Sequence, residues 1–240
     1  MYEPRFYRLW SIDKDLVSFN VTVKETDLYI RARRDLQKKA YEVVVKERAF
    51  LEEYIQSHPG FVTAMEPIPV ENKAPGIVRE MAKAAAKVGV GPMAAVAGAI
   101  AERVGKALLK SSPEVIVENG GDVFLKSLKR RLVGIHAGKP PFSSRIALEI
   151  RASETPLGIC TSSGTVGHSL SLGNADAAIV LAPSTTLADA AATAIGNLVK
   201  EEADIPRGLD FAKETEGLRG VAIIKDDKMA LWGQIRIVRK

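Results

Sequence analysis

An aspartate and a threonine four residues apart, Asp189 and Thr193, stand in the alanine-rich run Ala188-Asp189-Ala190-Ala191-Ala192-Thr193-Ala194. On a helix such a pair shares one face, with Cβ atoms about 5–6 Å apart. A carboxylate and a hydroxyl so placed are hard oxygen donors suited to Mg²⁺ or Ca²⁺. The alanines around them leave room for a ligand or for a closely packed backbone. A second reading stands beside this one: a carboxylate favours the positive first turn of a helix, with Ser184 or Thr186 as its N-cap. Upstream, a loop rich in hydroxyls and glycines runs from Thr161 to Gly167 and leads to His168. His168 is the best candidate for acid–base chemistry, because imidazole changes charge near neutral pH. A histidine bonded to its own loop backbone is the alternative.

Other constellations are weaker. Asn119-Gly120-Gly121-Asp122 lies between two β-rich runs, and Asn-Gly in that setting is a hairpin signal. The same residues would let a backbone approach a ligand, with Asp122 bonding a ribose or base. Ser162 or Ser163 with His168 and Asp189 has the residue types of a hydrolase triad. The loop reads Cys160-Thr161-Ser162-Ser163-Gly164, however, and lacks the Gly-x-Ser-x-Gly elbow. Three histidines and one cysteine have no zinc-site spacing. Neither a dinucleotide-binding glycine turn nor a phosphate-binding Walker loop is present.

These residues need elements to hold them. Alternation over residues 17–23 and 28–32 predicts a hairpin. Helical spacing over residues 36–57 puts Val43, Val44, Phe50, Leu51, Tyr54 and Ile55 on a core stripe, stopped by His58-Pro59-Gly60. Residues 61–74, with prolines at 67 and 69, read as an extended connection. Helices are expected over 77–87 and, opened by Pro92, over 92–110. Gly98 inside the second of these costs about 1 kcal/mol relative to alanine, which calls for a packing or ligand reason. Short strands follow at 114–119, 123–128, 132–135, 144–151, 158–160 and 177–181. A helix over 186–200 leads through a charged connector to two last strands, 221–225 and 229–238. Strands at both ends with helices between them make the class α+β. One domain over 1–240 is expected, with a subdivision, if any, near 61–75.

The bulk numbers set bounds. With 46% hydrophobic and 26% charged residues, the chain has the make-up of an ordinary globular protein. Its single cysteine, Cys160, cannot form an internal disulfide, which fits a reducing compartment. The first ten residues lack the apolar run of a signal peptide. No stretch reaches the roughly 18 apolar residues of a spanning helix. A cytoplasmic protein with no membrane partner is therefore expected. A net charge of +5 favours acidic partners only weakly. The basic clusters, Arg31 to Lys39 and Lys126 to Arg131, are not interleaved with stacking aromatics. Nucleic acid is the least favoured partner class.

Four stretches together resemble a known family. Gly98-Ala99-Ile100-Ala101, Asn119-Gly120-Gly121-Asp122, Thr161-Ser162-Ser163-Gly164 and the run around Asp189 and Thr193 follow the order and approximate spacing of its motifs. The family is that of the FAD:protein FMN transferases, the ApbE-like flavin transferases once called thiamine-biosynthesis lipoproteins, and the match is closest to a cytoplasmic branch. The resemblance implies their α+β fold, with mixed or antiparallel sheets and intervening helices. It also implies a magnesium ion held by Asp189, Thr193 and the carbonyl of Ala101. FAD would lie against Asn119, Gly120, Gly121 and Asp122, with Ser162, Ser163 and Gly164 lining the same pocket.

This chain departs from the family at two points. Glu102 stands where the family has a lysine, and the segment His-Ile-Ile-Asp-Pro after the third motif is missing. His168 is then the candidate for the absent histidine. Two function classes follow. One is a metal-assisted, FMN-transferase-like enzyme acting on FAD or another nucleotide, with an acceptor protein as partner. The other is a binding protein that keeps the cleft and lacks the chemistry. The alanine-rich helix after Pro92 makes a close helix contact expected, within one subunit or between the subunits of a homo-oligomer.

Overall fold

The computed structural model describes residues 15–135, 145–164 and 173–239. Its first strands, β1 (Val17–Val23) and β2 (Thr26–Ala32), form the expected hairpin, with Val17 opposite Ala32. Alternation does what it predicts: Phe19 and Val21 turn inward, while Val17, at the start of the outermost described strand, is exposed. Helix α1 (Gln37–Ser57) buries Val44 and Leu51 and half-buries Val43, Tyr54 and Ile55. Phe50 departs from the expected stripe. It faces solvent, with the Lys46 ammonium 5.8 Å from its ring centre.

The 61–74 connection begins with one helical turn, α2 (Gly60–Thr63), rather than extended chain. Helix α3 (Gly76–Val88) ends on Gly89 in the left-handed conformation, the usual helix stop that only glycine adopts without strain. The helix expected from Pro92 divides in two. A 3-10 turn, Pro92–Ala95, precedes the α-helix α4 (Val96–Leu109). Then come β3 (Val115–Asn119), β4 (Asp122–Lys126), β5 (Arg131–Gly134), β6 (Ile146–Ile150), β7 (Leu157–Ser162) and β8 (Ala177–Ala182). Helix α5 (Thr185–Leu198) carries Asp189 and Thr193, with Ser184 as its N-cap, accepting the Leu187 amide.

Two expectations for the C-terminal part are corrected. The charged connector contains a helix, α6 (Ile205–Glu214), which buries Ile205, Gly208 and Ala212 against the sheet and turns Arg207, Asp210 and Lys213 away from the core. The last strand is also not continuous. After β9 (Gly220–Lys225) and β10 (Lys228–Gly233) the chain turns at Gly233, φ +78°, and β11 (Ile237–Arg239) joins a different sheet.

Among the described residues the large sheet has eight strands in the order β1-β2-β3-β4-β7-β8-β9-β10, each antiparallel to its neighbour. A small sheet, β11-β6-β5, packs on one of its faces through Leu148 and Ile150 against Ile116, Leu125 and Ile179. The helices cover the other face, where Val104, Leu108 and Ile195 meet Val117, Phe124 and Val180. Burial on both faces explains why β8, Ala-Ala-Ile-Val-Leu-Ala, is apolar throughout instead of alternating. Among the described residues no single helix is long and apolar enough to cross a membrane.

Candidate functional site

The turn between β3 and β4 consists of Gly120 and Gly121, with φ of +68° and +117°, and pairs Asn119 with Asp122. Two positive φ values are what the tight hairpin turn requires. A Cβ on Gly121 would meet only the Thr161 carbonyl oxygen at 3.8 Å, so backbone conformation, not crowding, demands glycine there. The turn sets two side chains beside the start of α4. Asn119 Nδ2 donates to the Ala97 carbonyl at 3.1 Å, and Asp122 lies buried next to Cys160.

Asp189 reaches the same place from α5. It is half-buried, and its Oδ2 accepts the Gly98 amide, in the first turn of α4, at 2.8 Å. Gly98 has the packing reason its position called for. A Cβ there would lie 2.5 Å from the Thr185 carbonyl oxygen and 2.7 Å from Asp189 Cβ. Gly158 on β7 is equally constrained, because a Cβ would sit 2.4 Å from Thr185 Cα. The start of α5 is thus wedged between α4 and β7 by two missing side chains. The Cys160 thiol sits in this wedge and donates to the Thr185 carbonyl at 3.4 Å, whereas the buried Thr185 hydroxyl has no partner among the described residues.

The electrostatics of the wedge are unusual. Burial, with the nearby Glu118 charge adding to it, pushes the Asp122 carboxyl up to about 7 against the pull of the Cys160 thiol and the Thr161 amide. Burial and then the Asp122 charge push Asp189 well above the ordinary carboxylate range, although the Gly98 and Ala97 amides work the other way. Burial and the two carboxylates raise the Cys160 thiol as well. No lysine or arginine is paired with Asp122 or Asp189 among the described residues.

Thr193 is one turn further along α5, half-buried, and its hydroxyl has no hydrogen-bond partner among the described residues. Ala101 lies three residues beyond Gly98 in the body of α4, where a carbonyl is ordinarily taken by the amide four residues on. The α4 groups that meet Asp189 are the Gly98 and Ala97 amides. Ser162 ends β7, with its Oγ 3.2 Å from where a Cβ on Gly196 of α5 would be. Ser163 and Gly164 continue from it, and the Gly164 amide donates to the Ala175 carbonyl at 2.9 Å. Gly164, Gly173 and Gly196 stack backbone on backbone: a Cβ on Gly164 would lie 2.1 Å from the Gly173 oxygen, and one on Gly173 would lie 1.9 Å from the Gly196 oxygen. His168 and His136 lie outside the described residues.

Glu102 has a role that sequence reasoning missed. It is 5% exposed on α4, and its Oε2 accepts the Thr186 amide and the Thr186 and Ser184 hydroxyls at 2.9–3.0 Å. Lys106 Nζ lies 2.6 Å from the other oxygen. Burial works against the Glu102 charge, but Lys106 and the Thr186 groups outweigh it and hold the carboxyl below its ordinary value. The four-residue Glu102–Lys106 spacing and the Ser184-Thr185-Thr186 run were the available signals.

Part of the basic clusters is neutralised from within, chiefly the second. Arg33 and Arg131 pair with the buried Glu114, Arg131 and Lys129 also pair with Asp15, and Arg130 pairs with Glu149.

A family model described as AbpE bacteria matches residues 8–228. The chain belongs to that family. Among its relatives, a UPF0280 protein of Methanocaldococcus jannaschii is 41% identical over 221 residues, 90% of each chain. One from Methanopyrus kandleri is 42% identical over 226 residues, 91% of each chain. The flavin transferase ApbE from Vibrio cholerae superposes with a TM-score of 0.59 at 13% identity, over 90% of this chain and 96% of that one. The Pseudomonas stutzeri flavinyl transferase ApbE gives 0.56 at 13% identity, over 90% and 94%. The α+β fold of this AbpE-family chain is therefore that of the ApbE flavin transferases.

Proposed function

We propose that the chain binds a flavin dinucleotide, or another nucleotide with a pyrophosphate, beside the first turn of α4, together with a divalent cation. The observation that carries this reading is the pair Asp122 and Asp189. Two carboxylates share a buried wedge with no basic side chain beside them among the described residues, and both are pushed toward the protonated form. Natural sites relieve such a pair with a cation or a proton.

The donors fit Mg²⁺ better than a softer metal: Asp189 offers carboxylate oxygen, Thr193 an unengaged hydroxyl, and Cys160 a thiol held protonated. No group of three or more His, Cys, Asp or Glu suited to a metal occurs among the described residues. That fits an ion held by one or two carboxylates and completed by ligand phosphates. When bound, such an ion neutralises charge on phosphate oxygens. The amides at the start of α4 and of the Gly120-Gly121 turn would orient the phosphates. Ser162, Ser163 and Gly164, which lead from β7 toward the far end of α5 at Gly196, are the proposed further lining of the pocket, and His168 is the proposed acid–base group. The accompanying proposals are an acceptor protein for a transferred flavin group and a cytoplasmic location.

A second reading, a binding protein without turnover, is favoured by Glu102. At the position where the resemblance places a lysine, this chain has a carboxylate engaged by α5 and Lys106. Incubation with FAD, with and without Mg²⁺, separates the two. Metal-dependent AMP release that disappears in Asp189→Ala supports the enzyme, and binding without release supports the carrier. No binding of FAD under either condition removes FAD as the ligand and leaves another pyrophosphate-bearing nucleotide to be titrated in the same way.

A further inference from the structure

Three contacts fix where α5 begins. Gly98 of α4 and Gly158 of β7 come so close to Thr185 that a Cβ on either would clash with its backbone. Such contacts limit how near the helix can come, but they neither hold it there nor set its rotation. Glu102 does both. Its Oε2 draws in the Thr186 amide and the Thr186 and Ser184 hydroxyls. The Ser184 oxygen in turn accepts the Leu187 amide, so one carboxylate oxygen of α4 grips the whole first turn of α5.

This grip exceeds what the helix needs. Ser184 already serves as an N-cap, the local device that satisfies a first-turn amide. Burying a carboxylate is costly unless it is paired and hydrogen-bonded, and Glu102 meets that condition only with Lys106 on its other oxygen. A lysine, which the resemblance implies at this position, has donors only and could not accept the Thr186 amide.

One turn beyond Thr186 comes Asp189. Residues three apart share a helix face, so the rotation that Glu102 sets at Thr186 is the rotation that brings Asp189 Oδ2 to within 2.8 Å of the Gly98 amide. Thr193 follows a turn later on the same helix. A turn of α5 about its axis would carry both away from the start of α4.

We propose that Glu102 is a positioning residue of the candidate metal site: through Thr186 and Ser184 it fixes the turn of α5 that presents Asp189. Its functional meaning rests on the proposed metal reading, whereas the positioning itself is measurable in the metal-free chain.

An amide in the first turn of a helix has no partner within that helix, so hydrogen-exchange protection at Gly98 reports the Asp189 carboxylate that accepts it. Amides of β8, inside the large sheet, report global opening and serve as the reference. By NMR, Gly98 in Glu102→Ala should exchange roughly tenfold faster relative to β8, the loss expected of a charge-assisted bond. Glu102→Gln keeps an oxygen acceptor for Thr186 and should restore the natural protection, even though it loses stability. Thr186→Val, which removes one donor from the α5 side, should shift Gly98 in the same direction as Glu102→Ala, and it decides the matter if the alanine variant does not fold. Unchanged Gly98 protection in a folded Glu102→Ala or Thr186→Val variant overturns the proposal, and so does a glutamine variant no better than alanine. Calorimetric titration with Mg²⁺ and inorganic pyrophosphate reads the metal side: affinity should fall about tenfold in Glu102→Ala and be kept in Glu102→Gln. Equal affinity in the natural and alanine chains overturns the proposal and leaves the metal reading standing. A natural chain that binds no Mg²⁺ with pyrophosphate strikes the metal reading instead, and a Gly98 response then sustains the hold of Glu102 on Asp189.

Discussion

Glu102 and Asp189 each cap the helix that carries the other. Glu102 on α4 accepts the Thr186 amide in the first turn of α5 at 2.9 Å, and Asp189 on α5 accepts the Gly98 amide in the first turn of α4 at 2.8 Å. Neither helix supplies its own acidic residue in its first turn. Each therefore meets the positive end of its dipole with a carboxylate from its neighbour.

Replacing Glu102 removes a charged acceptor of three hydrogen bonds at the start of α5 and of one from Lys106. Glu102→Gln should cost roughly 1.5–3 kcal/mol, the range for such bonds. Glu102→Lys should cost more, because it sets a cation against the positive end of α5. Urea unfolding midpoints measure both, and a lysine variant as stable as the glutamine variant would refute the cap.

Asp122 has a folded pKa of about 7 against 3.8 ordinarily. Between these values the folded chain keeps a proton that the unfolded chain gives up, so stability falls as pH rises from about 4 to about 7. The slope approaches one proton, about 1.4 kcal/mol per pH unit. Asp122→Asn should remove this contribution and leave the one that the likewise raised Asp189 carboxyl makes in the same sense. With the natural chain at pH 8, Mg²⁺ should raise the melting temperature, and in Asp189→Asn it should not. A natural chain indifferent to Mg²⁺ counts against the metal site.

Glu114 works in the opposite direction. Burial opposes its charge, yet Ser127, the Leu128 amide and Arg131 hold its carboxyl down to about 2. The stabilisation is present above its ordinary value of 4.5 and is lost as pH falls from there toward 2. Acid denaturation followed by circular dichroism should show Glu114→Gln already weakened at pH 7 and less sensitive to acid than the natural chain.

Gly98→Ala and Gly158→Ala should each destabilise by about 1–3 kcal/mol, the cost of forcing a methyl group into a packed contact. In both cases the methyl group would press on the Thr185 backbone. Thermal melts test this; an unchanged melting point in either variant would mean that the α5 start can shift. In a flexible position Gly98→Ala would instead gain the helix propensity of alanine.

The hairpins, α1, α3 and the Ser184 cap were readable because each is written in a local pattern: alternation, a period near 3.6, or a polar cap before an apolar run. Helix α6 was not. Arg207, Asp210, Lys213 and Glu214 dominate its composition, and its buried face contains a glycine and an alanine, so the apolar signal is thin. The break between β10 and β11 depends on one glycine, Gly233. The Asp189–Thr193 spacing was legible as a shared helix face. That Asp189 would meet Gly98 and Asp122 was not, since those contacts join residues 91 and 67 positions apart. The charge of Glu102 was visible, but its use depends on where α5 begins in space.

Cys160 is the only cysteine in the chain, sealed at the centre of the α4–α5–β7 wedge with its thiol held in the protonated, unreactive form. A thiol reagent can reach it only when the wedge opens. Its rate of labelling is thus a built-in clock for that opening, readable in the unmodified protein, and any ligand that ties α4 to α5 should slow it.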